Sequence, residues 1–331
     1  MKPNGTLFLR RSEIASLLDF NAYVDVVEEA FRAHTEGRSL APGLMHVDAL
    51  DGEFHIKAGG LCTENARFGI KINGGFFQNR ARFDMPNIQG VILLSDATNG
   101  YPLCVMDSME VTIQRTGAAT AVAARYLARP ESSVCTICGA GNQGRVQLKA
   151  IASVLPLQKV HAWSRSLPNA QAFAARMSAE LNIPVSPVTD LAAAASQSDV
   201  IVTGTPSRKP FLMAGMVRPG TFIAAVGADS PDKQELDSAL TGACKIVADL
   251  TDQITHVGEA HHAIEAGLLS REGIHGEIGE IITGRKPGRT SAEEIILFDS
   301  TGTALQDVAA ASAVYEAALR TGVGTTINLA S

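Results

Sequence analysis

The chain has 331 residues, of which 46% are hydrophobic and 19% charged, and its formal net charge is −6 at pH 7. This length suffices for two domains with separate cores, and the lack of a basic excess argues against nucleic acid as a partner. The sequence shows no signal-peptide pattern and no apolar run of membrane-spanning length, which predicts a cytoplasmic protein without membrane association.

The first 130 residues read as a mixed helical and antiparallel region. Apolar residues at helical spacing between residues 12 and 36 predict one or two amphipathic helices. From residue 43 to residue 103, short apolar segments alternate with turns such as Asn73-Gly74-Gly75, which predicts an antiparallel sheet with one or two covering helices. A long helix rich in small residues follows from Glu110 to Ala128 and carries Arg115.

Beyond Pro130 strands and helices alternate, which predicts βαβ units and a parallel sheet. The first strand ends in the glycine turn Gly139-x-Gly141-x-x-Gly144, and a helical pattern follows at once. In such a turn the first glycine permits a tight bend, the second lets the backbone approach a pyrophosphate, and the third lets helix and strand pack closely. The free N–H groups of the helix start also favour phosphate. The sequence therefore predicts a dinucleotide site, with Asn142 and Gln143 in the same turn as further contacts.

The end of the second strand, Lys159 to Trp163, bears on the choice between NAD and NADP. The residues that follow it are Ser164, Arg165 and Ser166, and none of them is acidic. An NAD site usually carries an acid there for the ribose hydroxyls, whereas Arg165 could meet a 2′-phosphate or stack on adenine. These three predicted cofactor contacts favour NADP and leave NAD open.

Later strands predict more ligand contacts at the carboxyl edge of the same sheet, where open α/β sheets hold ligands. The predicted cofactor contacts there are Thr203, Thr205, Val226, Gly227 and Ser300. The fold class is thus α/β, with a Rossmann doubly wound parallel sheet over residues 130–298. A smaller α+β domain is expected from residues 1–129, completed by the C-terminal helix within residues 299–331.

No metal site is predicted. Cys135 and Cys138 are three apart on a predicted strand, so their side chains point to opposite faces and cannot converge on one ion. His256, His261 and His262 match no zinc-binding helix motif.

Four motifs together identify a family that the chain resembles. They are Gly69-Ile70-Lys71, Gln114 to Ala119, Gly227 to Glu235, and Phe298 to Asp307. In this order, and over essentially the whole length, the chain resembles the ornithine cyclodeaminase/μ-crystallin family. The resemblance implies a dinucleotide domain and a substrate-binding dimerisation domain with the substrate between them, and hence a homodimer that binds an amino or imino acid.

The resemblance also implies roles for individual residues. Lys71 and Arg115 match the residues that grip the substrate α-carboxylate, and Asp229 matches the acid that handles the α-nitrogen, so Lys71 and Asp229 are the catalytic candidates. A planar guanidinium on a rigid helix suits bidentate carboxylate binding, and an acid near the nicotinamide can pair with an iminium. Gly302, in the fourth motif, is a further substrate contact.

Two departures from the cyclodeaminases change the expected substrate. The segment from Ala41 to His46 lacks the arginine that those enzymes carry there. Where they carry a glutamate for the distal amine of ornithine, this strand carries His55 and Lys57, which alternate onto one face. If this face lines the substrate site, it would repel a cationic side chain and attract an anionic one; otherwise it is a solvated strand face.

The sequence predicts an NAD(P)H-dependent imine reductase, run in reverse as an amino-acid dehydrogenase, that transfers hydride to the imine carbon of a 2-imino acid. Iminosuccinate, which gives aspartate, is the first substrate expected, and cyclic ketimines such as pyrroline-2-carboxylate come next. Two alternatives stay open. One is a cyclodeaminase-type ammonia lyase that uses NAD transiently, and the other is a non-catalytic ligand-binding protein.

Overall fold

The computed structural model describes residues 5–329 of the chain. The chain folds as two compact units, one of residues 1–115 with 303–331 and the other of residues 116–302. The sequence placed these divisions after residues 129 and 298, so both differ from those of the structure. Within residues 5–329, no helix is both long enough and apolar enough to cross a bilayer.

The first unit begins with strands and short helices in alternation. Its first six strands are β1 (Thr6–Leu9), β2 (Ser39–Ala49), β3 (Gly52–Leu61), β4 (Arg67–Gly75), β5 (Ile88–Asp96) and β6 (Pro102–Asp107). The helices among them are α1 (Arg11–Ile14), α2 (Phe20–Thr35) and α3 (Asn79–Phe83). Helix α4 (Ser108–Leu127) follows, and the division after residue 115 falls inside it.

The second unit alternates strands and helices, as the sequence predicted. Its strands are β7 (Val134–Cys138), β8 (Lys159–Trp163), β9 (Val185–Val188), β10 (Val200–Thr203), β11 (Arg208–Leu212), β12 (Phe222–Ala225), β13 (Gln234–Leu236), β14 (Lys245–Ala248), β15 (Gly276–Glu277) and β16 (Ile296–Asp299). Its helices are α5 (Asn142–Ala152), α6 (Leu167–Leu181), α7 (Leu191–Ala195), α8 (Ser238–Ala243), α9 (Thr251–Val257), α10 (Glu259–Glu265) and α11 (Ile278–Ile282), with 3₁₀ turns at Ala214–Met216 and Arg271–Gly273. The chain then returns to the first unit with α12 (Ala304–Thr321) and β17 (Thr325–Ile327).

The first unit contains a seven-stranded sheet in the order β17-β1-β6-β5-β4-β3-β2. Strands β2 to β6 pair antiparallel, as predicted, because each is joined to the next by a local connection. Strand β1 joins β6 in parallel and β17 antiparallel. Neither β1 nor β17 was predicted, since each has at most four residues and is held by partners far away in the chain.

Helix α12 covers one face of this sheet. Two strand glycines permit the close approach: a Cβ at Gly59 would lie 3.0 Å from the Cβ of Ala304, and one at Gly69 would lie 2.8 Å from a methyl of Val308. The same strand alternation that turns these glycines toward α12 also turns Lys57 and Lys71 to that face. The helix and the sheet thus enclose the polar residues described below.

The opposite face of the same sheet is apolar and exposed. One row across β2, β4 and β5 contains Met45, Ile72 and Val91, and the next row contains Val47 and Phe54. Each of these side chains is at least 37% exposed. A contiguous apolar face of this kind is uncommon on a monomer and typical of an interaction surface.

The second unit is built on an eight-stranded parallel sheet in the order β15-β14-β16-β12-β10-β7-β8-β9. The order runs outward in two directions from β7 and β10, as in a doubly wound sheet with helical crossovers. Its central strands carry buried aliphatic residues, among them Ile201, Ile223 and Leu297. The predicted fold class, a Rossmann sheet with a separate sheet domain completed by the C-terminal helix, is confirmed.

Candidate active site

A buried ionic cluster lies between the sheet and α12 in the first unit. The Nζ of Lys71 lies 2.7 Å from Asp307 Oδ2, and Arg115 Nε lies 2.9 Å from Asp307 Oδ1. Arg115 also donates from Nη1 to Gln306 Oε1 at 2.9 Å. Strand β4, the first turns of α4 and the start of α12 therefore bring Lys71 and Arg115 together, as their predicted common role requires.

Lys57 adds a third cation to this cluster. It lies directly opposite Lys71 in the β3–β4 register, and its residue is only 5% exposed. Burial lowers the pKa of Lys71 to about 7; Asp307 opposes this shift, whereas Arg115 and Lys57 add to it. Burial alone would raise the pKa of Asp307, but Lys71 and Arg115 hold it below its usual range. Among these four side chains the cations outnumber the acid, which suits the binding of carboxylates.

Asp307 and Gln306 were missed as site residues, although the fourth motif contains them. Both lie in the first turn of α12, a helix otherwise dominated by alanine and other apolar residues. Two polar residues side by side in such an apolar helix are a signal that sequence reading could have used, and in the structure both are fully buried. The burial becomes apparent only when β3 and β4, which are far away in the chain, are known to pack there.

His55 lies on the same face of β3 as Lys57, as predicted, but an acid shares that face. His55 Nε2 lies 3.1 Å from Glu53 Oε1, and the other oxygen of Glu53 lies 3.7 Å from Nε2 of His46 on β2. The rings of His46 and His55 are 4.7 Å apart and meet edge to face. The face is therefore not lined by His and Lys alone, which corrects the simple cationic description drawn from the sequence.

In the second unit, the glycine turn after β7 has the geometry of a phosphate-binding turn. Gly139 has φ +123°, which other residues rarely adopt, and a Cβ there would lie 2.8 Å from Gly204 O. A Cβ at Gly141 would meet no atom within 4 Å, so its backbone is open to a ligand. A Cβ at Gly144 would overlap Gly139 O, so this glycine is needed for packing. Asn142, Gln143 and Gly144 form the first turn of α5, whose N-terminal N–H groups fit a pyrophosphate.

The other predicted cofactor contacts lie at the carboxyl ends of adjacent parallel strands. Thr203 ends β10, Val226 and Gly227 follow β12, and Ser300 follows β16. Ser164, Arg165 and Ser166 follow β8, and Arg165 is exposed. These positions all belong to the edge of the sheet at which open α/β folds bind ligands.

A buried carboxylate, which the sequence did not reveal as important, organises this edge. Glu235 accepts hydrogen bonds from the backbone N–H of Thr205 at 2.6 Å and from that of Gly227 at 3.1 Å. Burial raises the pKa of Glu235 to about 7, against the effect of these donors. Glu235 therefore ties together the loops after β10 and β12.

Asp229 lies two residues beyond Gly227 and forms an ion pair with Lys233 Nζ at 2.6 Å. Its side chain is 39% exposed, whereas that of Lys233 is 13% exposed. The partly exposed carboxylate can therefore still contact a ligand. Gly302, the last predicted substrate contact, has φ +73°, and its N–H donates to Asp249 Oδ2 at 2.7 Å.

The histidines for which the sequence predicts no metal site lie on two helices, with His256 on α9 and with His261 and His262 on α10. Glu259 is fully buried and accepts from the backbone N–H groups of Glu235 and Leu236, so it is not available as a ligand. Instead, His261, His262 and Glu265 place ligand atoms within 4.8 Å of one another, as do His46, Glu53 and His55 in the first unit. The prediction of no metal site weighed His261 and His262 by their spacing, but it did not consider Glu265 or the group of His46, Glu53 and His55.

The family model for the ornithine cyclodeaminase/mu-crystallin family matches residues 4–322. The chain is 39% identical over 329 residues to the alanine dehydrogenase of Archaeoglobus fulgidus, covering 97% of this chain and 98% of that protein. It is 35% identical over 328 residues to the iminosuccinate reductase of Paracoccus denitrificans, covering 98% of this chain and 100% of that protein.

Solved structures agree with these matches. An archaeal alanine dehydrogenase dimer with bound NAD has a TM-score of 0.93 at 38% identity, covering 98% of this chain and 99% of that one. The Δ(1)-pyrroline-2-carboxylate reductase of Thermococcus litoralis, in complex with NADH and L-proline, has a TM-score of 0.93 at 32% identity, covering 97% and 100%. The resemblance drawn from the sequence is confirmed. The predicted class, an NAD(P)-dependent oxidoreductase, is confirmed as an NAD-dependent oxidoreductase.

Proposed function

The chain belongs to the ornithine cyclodeaminase/mu-crystallin family, and we propose that within it the protein reduces the imine carbon of a 2-imino acid. The observation that carries the proposal is the buried cluster of Lys57, Lys71 and Arg115 around Asp307. An excess of buried cations costs free energy because the charges are removed from water, unless an anion balances them. Every 2-imino acid carries a carboxylate that can do so.

The substrate α-carboxylate binds to Lys71 and Arg115. Asp307 holds both cations in place through contacts of 2.7 and 2.9 Å, so they are oriented before the substrate arrives. Gln306 fixes a further nitrogen of the guanidinium. In this role Asp307 and Gln306 are positioning residues, and Lys71 and Arg115 touch the substrate.

Asp229 balances the charge of the protonated imine nitrogen. The iminium already carries its proton, so addition of a hydride to the carbon completes the amine and leaves Asp229 ionised. The ion pair with Lys233 orients the Asp229 carboxylate. Bound NADH supplies the hydride when the dinucleotide occupies the glycine turn.

We propose NAD(H) as the cofactor, with NADP(H) accepted through Arg165. Three structurally similar relatives were solved with NAD, NADH or NAD⁺. Arg165 is exposed at the end of β8, where a 2′-phosphate would lie, and no acid is present among Ser164 to Ser166 to repel that phosphate.

Iminosuccinate is the substrate that we propose first. Among the four clustered side chains three are cations and one is an acid, an imbalance that the two carboxylates of this imine would offset. A distal carboxylate that reaches Lys57 or His55 gains a charge-assisted hydrogen bond of about 1.5–3 kcal/mol. Iminosuccinate reductase is also one of the relatives that align over their full length.

The stoichiometry of NADH separates a reductase from a lyase. We expect oxaloacetate with ammonia, which generates iminosuccinate in solution, to consume one NADH per aspartate formed. A lyase instead releases ammonia from ornithine with no net change in NADH absorbance. Conversion of ornithine to proline under these conditions, without reduction of any imine, would replace the proposal with the lyase alternative.

A second pair of substrates tests the distal carboxylate. Pyruvate with ammonia gives the corresponding imine without that group, so the ratio of kcat/KM for the two imines reports its contribution. We expect Lys57→Ala and His55→Ala each to lower this ratio. An unchanged ratio in both variants, or a wild type that prefers the pyruvate imine, would assign the site to a monocarboxylate or a cyclic imine. In that case Glu53 would offset the positive charge of this face.

The protein is also proposed to act as a homodimer. The apolar outer face of the sheet, with Met45, Val47, Phe54, Ile72 and Val91, offers the surface for a second copy. An archaeal alanine dehydrogenase with the same fold was solved as a dimer.

A further inference from the structure

We propose that His46, Glu53 and His55 form a binding site for a divalent transition metal such as Zn²⁺. The three residues lie near the turn of the β2–β3 hairpin, within the first unit. His46 and His55 are directly opposite each other in the antiparallel register, and Glu53 is two residues before His55. Strand alternation places all three side chains on one face, and the rigid hairpin fixes their spacing.

Two distances between ligand atoms of these residues are close to those of a tetrahedral metal site. His55 Nε2 lies 3.1 Å from one oxygen of Glu53, and His46 Nε2 lies 3.7 Å from the other. All three ligand atoms lie within 4.8 Å of one another. Metal–ligand bonds of 2.0–2.1 Å at tetrahedral angles place ligand atoms roughly 3.3 Å apart. Side-chain rotations therefore suffice to close the set around one ion.

The chemistry of the donors selects the class of metal. Two imidazole nitrogens and one carboxylate are typical of zinc sites with three protein ligands, and calcium or magnesium would require more oxygen donors. A bound Zn²⁺ displaces the proton that Nε2 of either ring carries, and that proton passes to solvent. His55 with Zn²⁺ on Nε2 no longer donates to a distal carboxylate from that atom, so Lys57 is then the partner of that carboxylate. The fourth position is left for water or for Asp48, whose carboxylate is 93% exposed and whose Oδ1 lies 3.2 Å from His46 Nε2.

Partial burial favours binding at this place. The side chains of His55 and Glu53 are 13% and 18% exposed, and that of His46 is 32% exposed. The Glu53 carboxylate supplies a negative charge that two partly buried rings otherwise lack. The ligands are thus partly shielded from water and still accessible to an ion.

The group on α10 is the poorer candidate and serves as the control. Its His262 Nε2 bonds the Lys233 carbonyl at 2.8 Å, so that nitrogen is already engaged. His261 Nε2 lies 3.5 Å from Glu265, whose side chain is 66% exposed. Each group contains two histidines and one glutamate, so zinc binding by the β2–β3 group can be compared directly with zinc binding by the α10 group.

The test is titration of the purified, full-length protein with ZnCl₂ in competition with a chromophoric chelator. We expect one Zn²⁺ per chain at micromolar affinity, weakened at least about tenfold in His55→Ala and in Glu53→Gln. The double variant His261→Ala/His262→Ala should bind like the wild type. Circular dichroism checks that each variant is folded, and Co²⁺ should give the intense visible bands of a tetrahedral site.

Three results would overturn this proposal. They are no stoichiometric zinc at micromolar concentration, wild-type affinity in both His55→Ala and Glu53→Gln, and loss of zinc only in the α10 double variant. None of these measurements uses a substrate or NADH. Failure of the metal site is therefore distinguishable from failure of the proposed reductase function.

Discussion

Asp307 is a single carboxylate in contact with two cations, and a third cation lies on the strand beside them. A buried acid without partners would be protonated, but here the pKa of Asp307 stays low because Lys71 and Arg115 surround it. The ion pairs of Asp307 with Lys71 and Arg115 therefore contribute little to the stability of the fold. Their main effect is to hold the two cations where a substrate carboxylate binds. Burial beside two other cations also lowers the pKa of Lys71, so this residue loses its proton near neutral pH.

The protonation of Lys71 should make ligand binding dependent on pH. With a pKa of about 7 instead of 10.5, Lys71 is cationic below pH 7 and neutral above it. Because a carboxylate binds the cationic form, the inhibition constant of succinate should rise by up to about tenfold per pH unit above pH 7. In Lys71→Arg the charge persists, so this rise should disappear.

Measurement of succinate inhibition between pH 6.5 and 8.5 checks this prediction. Succinate keeps both negative charges over most of this range, so the change reports the protein. A flat profile in the wild type, or an equal slope in Lys71→Arg, would show that Lys71 does not titrate in the site.

At the scale of elements, the glycine turn shows what sequence can predict well. The roles of Gly139, Gly141 and Gly144 follow from a local pattern of strand, turn and helix, and the structure contains each of the required conformations. Strand Lys159–Trp163 likewise has the predicted ends. Its interior from Val160 to Ala162 is buried, and the polar residues Lys159 and Ser164 lie at its two ends.

Elements that depend on distant partners could not be predicted in this way. The short strands β1 and β17 exist because they pair with each other and with β6. The position of Asp307 beside Lys71 depends on how α12 packs on β4, and no local pattern encodes it. The same is true of Glu53, whose role becomes visible only when its strand register with His46 is known.

Two alanine substitutions in the turn should separate folding from cofactor binding. Gly144→Ala would force a Cβ into Gly139 O, so it should destabilise the protein by about 1–3 kcal/mol or more. Gly141→Ala has no neighbour to clash with, so its melting temperature should stay near that of the wild type while the Kd for NADH rises. Thermal melts and fluorescence titration with NADH provide the two readouts. Equal NADH affinity in Gly141→Ala and the wild type would contradict the assigned phosphate contact.

At the scale of the whole molecule, the apolar outer face of the first unit sets the expected assembly. Light scattering should give twice the chain mass of 34.8 kDa. Phe54→Asp, on that face, should shift the mass toward the monomer because a charge would be buried in an apolar contact. Leu268→Asp, at a residue 52% exposed in the second unit, is the matched control and should leave the dimer intact. A wild type with the mass of a single chain at micromolar concentration would refute the dimer.

The central claim is that the buried cations of the first unit hold the carboxylate of the substrate. Steady-state kinetics of Arg115→Ala tests it most directly, with oxaloacetate and ammonia as the source of the imine. Loss of a charge-assisted contact should raise KM for the imine roughly tenfold to a hundredfold, while the Kd for NADH stays nearly unchanged. Arg176→Ala, which removes a guanidinium that is 60% exposed on α6, should change neither quantity. A folded Arg115→Ala protein that reduces the imine with a near-normal KM would contradict the claim.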